Sequence, residues 1–539
     1  MRRIWAGLAL ALALLAPVAH SAIISEGGRR AVMMGGGIKP VASFNATTDP
    51  FPSAILSHSR TSLATMFDST GKLTYAPNNL LLNSATLSTQ TVTVQSGVSY
   101  ILSIKGTGSV TLSGASTAGP LNGTGASDRV DLKISASTSS LTLTVSGSVT
   151  SARLSAVTYE TAFRSGDDVG TTSAAYYGPR IDYDPNTLAV KGLLIEEART
   201  NYAYQAFNLA DAGWAASGGS KASATDLSGG STATTFTPST VESTHYIRYG
   251  SAGSLTNAVV YTMTAFVKFG GAAFVWIGDS GGTSWVWGSV NTSTLAVATN
   301  GTVSSSMATP VAMGGGVYKL QLTWTRDLTA AVSPVVLPYT ATANGYGNVG
   351  YPSWTPAGTE SITVLGVQIE AGTFGTSPTP TAAASVTRAA DVVQFTGAAL
   401  AALQGGAGSA IVEMTDAAVG YGAGGGMLIG GTSNYWLNLA VGAIYSQASS
   451  INLNTANTTA AGSPFRGGVA WGPSARSIAL NGGTVAKDTT SGWSGQTPYL
   501  GSYGGASNWT NGHAKSFAIY NQRLADGTLQ SKSVVGASY

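Results

Sequence analysis

The run Tyr318-Lys319-Leu320-Gln321-Leu322-Thr323-Trp324 alternates apolar and polar residues without a break. Successive side chains of a strand point to opposite sides of a sheet, so a period of two marks a strand with one buried face. Tyr318, Leu320, Leu322 and Trp324 are expected to face a core. Val260 to Phe269 repeats the pattern, placing Tyr261, Met263, Ala265 and Val267 on one side. Shorter runs follow the same rule: Thr91-Val92-Thr93-Val94, Tyr100-Ile101-Leu102-Ser103-Ile104, Val110-Thr111-Leu112 and Leu141-Thr142-Leu143-Thr144-Val145. Ser and Gly turns separate them at the spacing of a sandwich or barrel. Late in the chain Ala410 to Met414, Tyr435 to Leu439, Ser477 to Leu480 and Ser516 to Tyr520 read as strands, and Asn481-Gly482 is a hairpin signal. Only Leu524 to Lys532 reads as a helix. The expected fold is all-β.

Composition agrees. Only 9% of residues are charged and 69 are glycine, so long surface helices would lack a solvated face. At 539 residues the chain exceeds one ordinary core. Breaks at Gly, Pro and Asp clusters divide it into an N-terminal arm or connector (22–77), a small β-sandwich (78–164), a joint (165–202), a larger β region (203–390) and a last β block (391–539). Residues 1–21 carry Arg2 and Arg3, an apolar stretch from Ile4 to Val18, and small residues at Ala19 and Ser21. This order is that of an export signal cleaved before Ala22; the rival reading is a hydrophobic docking peg. The stretch is too short to span a bilayer comfortably, and no later segment approaches a span.

Several chemistries are disfavoured. A net charge of +3 with no basic block gives nucleic acid no footprint. The absence of cysteine removes thiol catalysis, disulfides and thiolate metal sites. His20, His58, His245 and His513 are too scattered in sequence for a metal-ligand pattern. No strand of the last block carries a same-face carboxylate pair, since Glu413 and Asp416 stand three apart. His513, the last block's single histidine, has no acidic partner close in sequence. Binding without turnover is expected.

Candidate sites remain. Glu196-Glu197 with Arg199 reads as an ion bridge locking two modules rather than as an acid pair. Asp182, Asp184 and Asn186 offer hard oxygens at alternating positions, suited either to calcium or to a plain capped turn; no other cofactor is indicated. Sugar binding needs flat aromatic faces beside amides and carboxylates. Trp276 and Asp279, near Trp285 and Trp287, meet that need in the central region. Tyr499, Tyr503, Asn508, Trp509 and His513 meet it in the last block, with Trp509 expected as an exposed ring on a turn.

The joint also carries a resemblance. Gly178-Pro179-Arg180-Ile181-Asp182-Tyr183-Asp184-Pro185 leads to Gly192-Leu193-Leu194-Ile195-Glu196-Glu197-Ala198-Arg199-Thr200-Asn201. Together with Arg60-Thr61-Ser62, Phe67 to Leu73, Leu365 to Gly372 and Val386 to Asp391, it resembles bacteriophage and prophage virion proteins of the tail-fibre and head-fibre kind. The resemblance implies that 203–390 is a carbohydrate-binding-like jelly roll. Ala479 to Gly482 and Phe517 to Leu524 are similar to concanavalin A-like, laminin-G-type lectin sandwiches. The β module from Asn78 to Ala162 stands between lead-in and joint as an insertion. The expected protein is then a virion or cell-surface component built from tandem sandwiches. Its implied partners are a cell-surface glycan and other virion or surface-assembly proteins, with self-association left open. A secreted lectin-like adhesin and a polysaccharide-degrading enzyme are the alternatives.

Overall fold

Pleated strands that each present one apolar face must pair those faces, and this chain does so three times. The computed structural model describes residues 38–158, 171–300, 303–344, 346, 350–416, 426–440, 443–448, 451–456, 458–460, 462–493 and 495–539. The export or docking segment and the cleavage point before Ala22 lie outside the described residues. Among those described are forty-five strands and two helices, Gly397–Leu403 and Asp526–Lys532. The protein is all-β, and no described helix is long and apolar enough to cross a membrane.

The small sandwich faces a three-stranded sheet, Gly125–Ser135, Ser99–Gly106 and Val149–Val157, against a four-stranded one led by Gln90–Thr93 and Ser140–Ser146. Leu102, Ile104, Val110, Leu112, Leu141 and Leu154 close its core. The central sandwich packs a six-stranded sheet on a seven-stranded one. At the middle of the latter, Val260–Gly270 pairs with Val317–Thr325 on one side and Ser361–Ala371 on the other. The alternation holds in three dimensions. Met263, Ala265, Val267, Leu320 and Leu322 meet Val275, Ile277 and Val336 of the opposite sheet, all without solvent contact. Each such aliphatic contributes about 1.5–3 kcal/mol by leaving water.

The C-terminal sandwich, of eight and seven strands, is not assembled from 391–539 alone. Ala42–Asn45 pairs with Ser516 to Ile519, and Leu56–Ser59 pairs with Val392–Phe395. Val190–Ile195 of the joint lies along Gly512 to Ala514. Phe44, Leu56, Leu193 and Ile195 are buried in that core. The segment expected as an arm or connector therefore gives two strands to the last sandwich, and the joint contributes strands as well. Four-residue strands between Pro and Gly breaks show too little period to reveal a buried face.

One ionic cluster fastens these parts. Asp391 accepts from Arg60 at 2.6 Å, from Arg180, from His58 at 3.3 Å and from the Glu196 amide at 3.1 Å. Glu196 accepts from Arg180 at 2.8 Å and from the Ser377 amide and hydroxyl at 2.8 and 2.6 Å, with Arg388 at 3.4 Å. Burial alone would raise both carboxyls. Arg180 and Arg60 instead hold Asp391 well below the carboxylate range, and Arg388 with Arg180 brings Glu196 to about 2. The expected bridge is present, but Glu196 pairs with Arg180 and Arg388 while Arg199 pairs with Glu197.

Candidate binding cleft

The seven-stranded sheet of the central sandwich turns its second face toward the C-terminal sandwich. On Val317–Thr325, Lys319 and Gln321 occupy the positions between the core residues, so they project to that side. The facing wall comes from Ile181–Tyr183, Val190–Ile195 and Gly512–Tyr520, which supply Asp182, Lys191, Leu194 and His513. Gly192 (φ +136°) permits this wall, because a Cβ there would stand 2.6 Å from the Ala514 carbonyl oxygen. Phe374 to Pro378 and the Met66-Phe67 pair close the sides. Between the walls lies a cavity of about 230 Å³, with exposed Val311, Ala312 and Asp416 at its rim.

The polar groups form a chain. His513 Nε2 lies 2.8 Å from Asp182 Oδ2, whose other oxygen accepts from the Phe67 amide at 2.6 Å. His513 Nδ1 is buried without a hydrogen bond, 3.7 Å from Asp416 Oδ2. Asp416 pairs with Lys191 at 2.8 Å. Burial would raise the Asp416 carboxyl, but Lys191 and His513 bring it below its ordinary value. Burial would lower Lys191, yet Asp416 and Asp182 raise it on balance. Lys319 differs. Burial and then Lys191 press it below the ordinary lysine value, and the nearby carboxylates offset only part of this. It makes no hydrogen bond or ion pair among the described residues. Phe266, Phe374 and Met313 supply apolar lining.

Four residues singled out from sequence, His513, Asp182, Asp184 and Glu196, line this cleft. The acidic partner that His513 lacks nearby in sequence is Asp182, brought from the joint. No hydroxyl hydrogen-bonds to His513 among the described residues, so a serine-type nucleophile is missing from that position. Both Asp182 oxygens are engaged, Asp184 Oδ1 accepts the amides of Asn186 and Thr187 at 2.8 Å each, and Asn186 is exposed. Those bonds cap the turn. Among the described residues no three His, Asp or Glu side chains converge as metal ligands.

The other aromatic candidates fall elsewhere. Trp276 is fully buried under Tyr339 and Tyr346, its indole donating to the Ala341 carbonyl at 2.7 Å. Asp279 is buried against Arg326 and accepts the amides of Gly281 and Ser333. Trp509 is not an exposed platform: it is 5% exposed and belongs to the C-terminal core. The Asn508 carbonyl accepts the Met427 amide at 2.9 Å and the Thr510 hydroxyl donates to the Met427 carbonyl, which pins the loop so that the ring between them packs inward. Asn508 itself is exposed, and Tyr499 and Tyr503 are half-buried and do not line the cleft. Sequence reasoning passed over Lys319 and Gln321, because the polar face of an alternating strand ordinarily faces water. A larger cavity, about 440 Å³, lies between the small and central sandwiches. Its single charged lining residue, Asp226, is saturated by Ser228, Gly230 and Thr232, so the smaller cleft offers the richer chemistry.

No protein-family profile matches the chain, and no curated protein does. Among solved structures, the N-terminal CBM22-1-CBM22-2 tandem domain from Paenibacillus barcinonensis Xyn10C is similar over 63% of this chain and 99% of its own length, at 10% identity and a TM-score of 0.20. A likeness that loose carries no argument about what this chain does.

Proposed function

We propose that this is a surface-attachment protein of the virion-fibre kind, and that its inter-sandwich cleft binds one sugar unit of a cell-surface glycan without turnover. One observation carries the reading. The cleft sets aromatic and thioether surface beside polar groups that the fold leaves unfilled, notably the Lys319 ammonium and the Gln321 side-chain carbonyl. A sugar presents apolar ring faces and hydroxyls that both donate and accept, so it needs that mixture in a small volume. Repetition of one weak site along an assembly would raise avidity without new contacts. A secreted lectin-like adhesin would use the same cleft, and finding the chain in purified virions or free in culture medium separates the two.

A glycan array probed with the chain tests the reading directly. Phe374→Ala removes a half-buried lining ring and should weaken the best glycan roughly five- to tenfold, about 1 kcal/mol of ring contact. Its thermal midpoint should stay close to the parent's. Unchanged affinity in a folded Phe374→Ala variant would count against the cleft, and release of reducing sugar from the bound glycan would count against binding without turnover.

A further inference from the structure

Every charged group of the cleft but Lys319 is held by a hydrogen bond or an ion pair. Glu196 is held by Arg180 and Arg388, Asp416 by Lys191 at 2.8 Å, and Asp182 by His513 at 2.8 Å. Asp184 spends one oxygen on the amides of its own turn. Lys319 alone among these groups faces the cavity with neither hydrogen bond nor ion pair among the described residues. Asp416, Glu196 and Asp182 act on Lys319 without touching it, and a half-buried ammonium with no contacting partner is costly. The strand that carries Lys319 is fixed by its core residues Leu320 and Leu322, so the ammonium cannot be withdrawn by shifting register without turning those leucines out.

We infer that the missing contact partner belongs to the ligand: the cleft takes an acidic sugar, a uronic or sialic acid unit whose carboxylate lies against Lys319. The remaining groups suit the rest of such a molecule. His513 stands in the cavity wall, its Nε2 on Asp182 at 2.8 Å. Gln321, which gives its amide nitrogen to Thr264 at 3.2 Å, keeps its carbonyl oxygen as an acceptor. A bare inorganic anion would meet the charge and leave these groups unused. This inference rests on the carbohydrate reading above and narrows it.

Titration calorimetry on the full chain decides it, with D-glucuronate, D-galacturonate and N-acetylneuraminate set against D-glucose and D-galactose, and with acetate and sulfate as bare anions. At least one acidic sugar should bind tenfold or more tighter than its neutral counterpart and than either bare anion. Lys319→Met should abolish that preference, and Lys319→Arg, which keeps the charge, should retain part of it. Equal binding of acidic and neutral sugars overturns the inference and leaves the carbohydrate reading standing. Binding of acetate or sulfate as tight as that of the sugars overturns it in favour of a simple anion site. Failure of every monosaccharide, with no hit among array glycans, overturns both. The wild-type comparison needs no variant, so misfolding of Lys319→Met would not shelter the inference.

Discussion

Asp391→Ala should lower the stability of the chain by about 3–5 kcal/mol, the usual cost of stripping one partner from a buried ionic group. The reason is geometric. Asp391 is fully buried and accepts from Arg60, Arg180, His58 and the Glu196 amide at once. Without it the buried guanidiniums of Arg180 and Arg388 share the single carboxylate of Glu196, and that of Arg60 loses its carboxylate partner. Those arginines come from the arm, the joint and the segment after the central sandwich, so the loss loosens all three parts together. A urea or guanidinium midpoint measured beside Glu197→Gln makes the comparison clean. Glu197 pairs with Arg199 at a partly exposed position, and its loss should cost under about 1 kcal/mol. Equal midpoints for the two variants would refute the argument.

The same cluster sets an acid dependence. The folded-state pKa values of Asp391 and Glu196 lie below their unfolded values, so their contribution is full above the unfolded carboxylate range and is lost as pH falls toward about 2. His58 works in the same direction from a higher pH. Burial lowers its folded-state pKa despite Asp391, so the unfolded chain takes up a proton first, and stability begins to decline below about 6.5, the ordinary histidine value. Midpoints followed from pH 7 to pH 2 should fall gently at first and steeply below pH 4. A flat profile would mean that the cluster does not contribute as argued.

What the sequence reveals depends on whether a feature is local. Strand alternation from Tyr318 to Trp324 is legible because one buried face fixes every second residue, and the structure buries Leu320, Leu322 and Trp324 accordingly. The joint is legible as ionic because Glu196 has nowhere apolar to go, but its true partners, Arg180 and Arg388, stand 16 residues before it in one case and beyond the whole central sandwich in the other. The strands Ala42–Asn45 and Leu56–Ser59 are too short to carry a period. Lys319 and Gln321 look like any solvated face until a second sandwich is laid over them, and no single-strand pattern announces that. Asp182 and His513 are 331 residues apart, so their pairing is a property of the fold alone.

Trp509 is the sharpest case, and it gives the second large prediction. Its neighbours argue for a turn: Asn508 and Asn511 both adopt left-handed backbone, with φ of +49°, and Asn tolerates that conformation. A turn, however, fixes the path of the chain and not the direction of the side chain between. The two bonds to Met427 draw the loop onto the strand Gly426–Gly430, and the indole packs into the same core as Phe395, Leu500 and Phe517. Truncating such a ring removes its transfer free energy and leaves a cavity that neighbours fill only in part. Trp509→Ala should therefore destabilise the C-terminal sandwich by about 3–5 kcal/mol, whereas an exposed platform ring would cost within about 0.5 kcal/mol. Trp509→Phe, which refills much of the space, should recover a substantial part of the loss. Glycan affinity of the fraction that remains folded should be unchanged, because Trp509 does not line the cleft. A Trp509→Ala chain that melts with the parent but no longer binds glycan would reverse this assignment and return the ring to the surface.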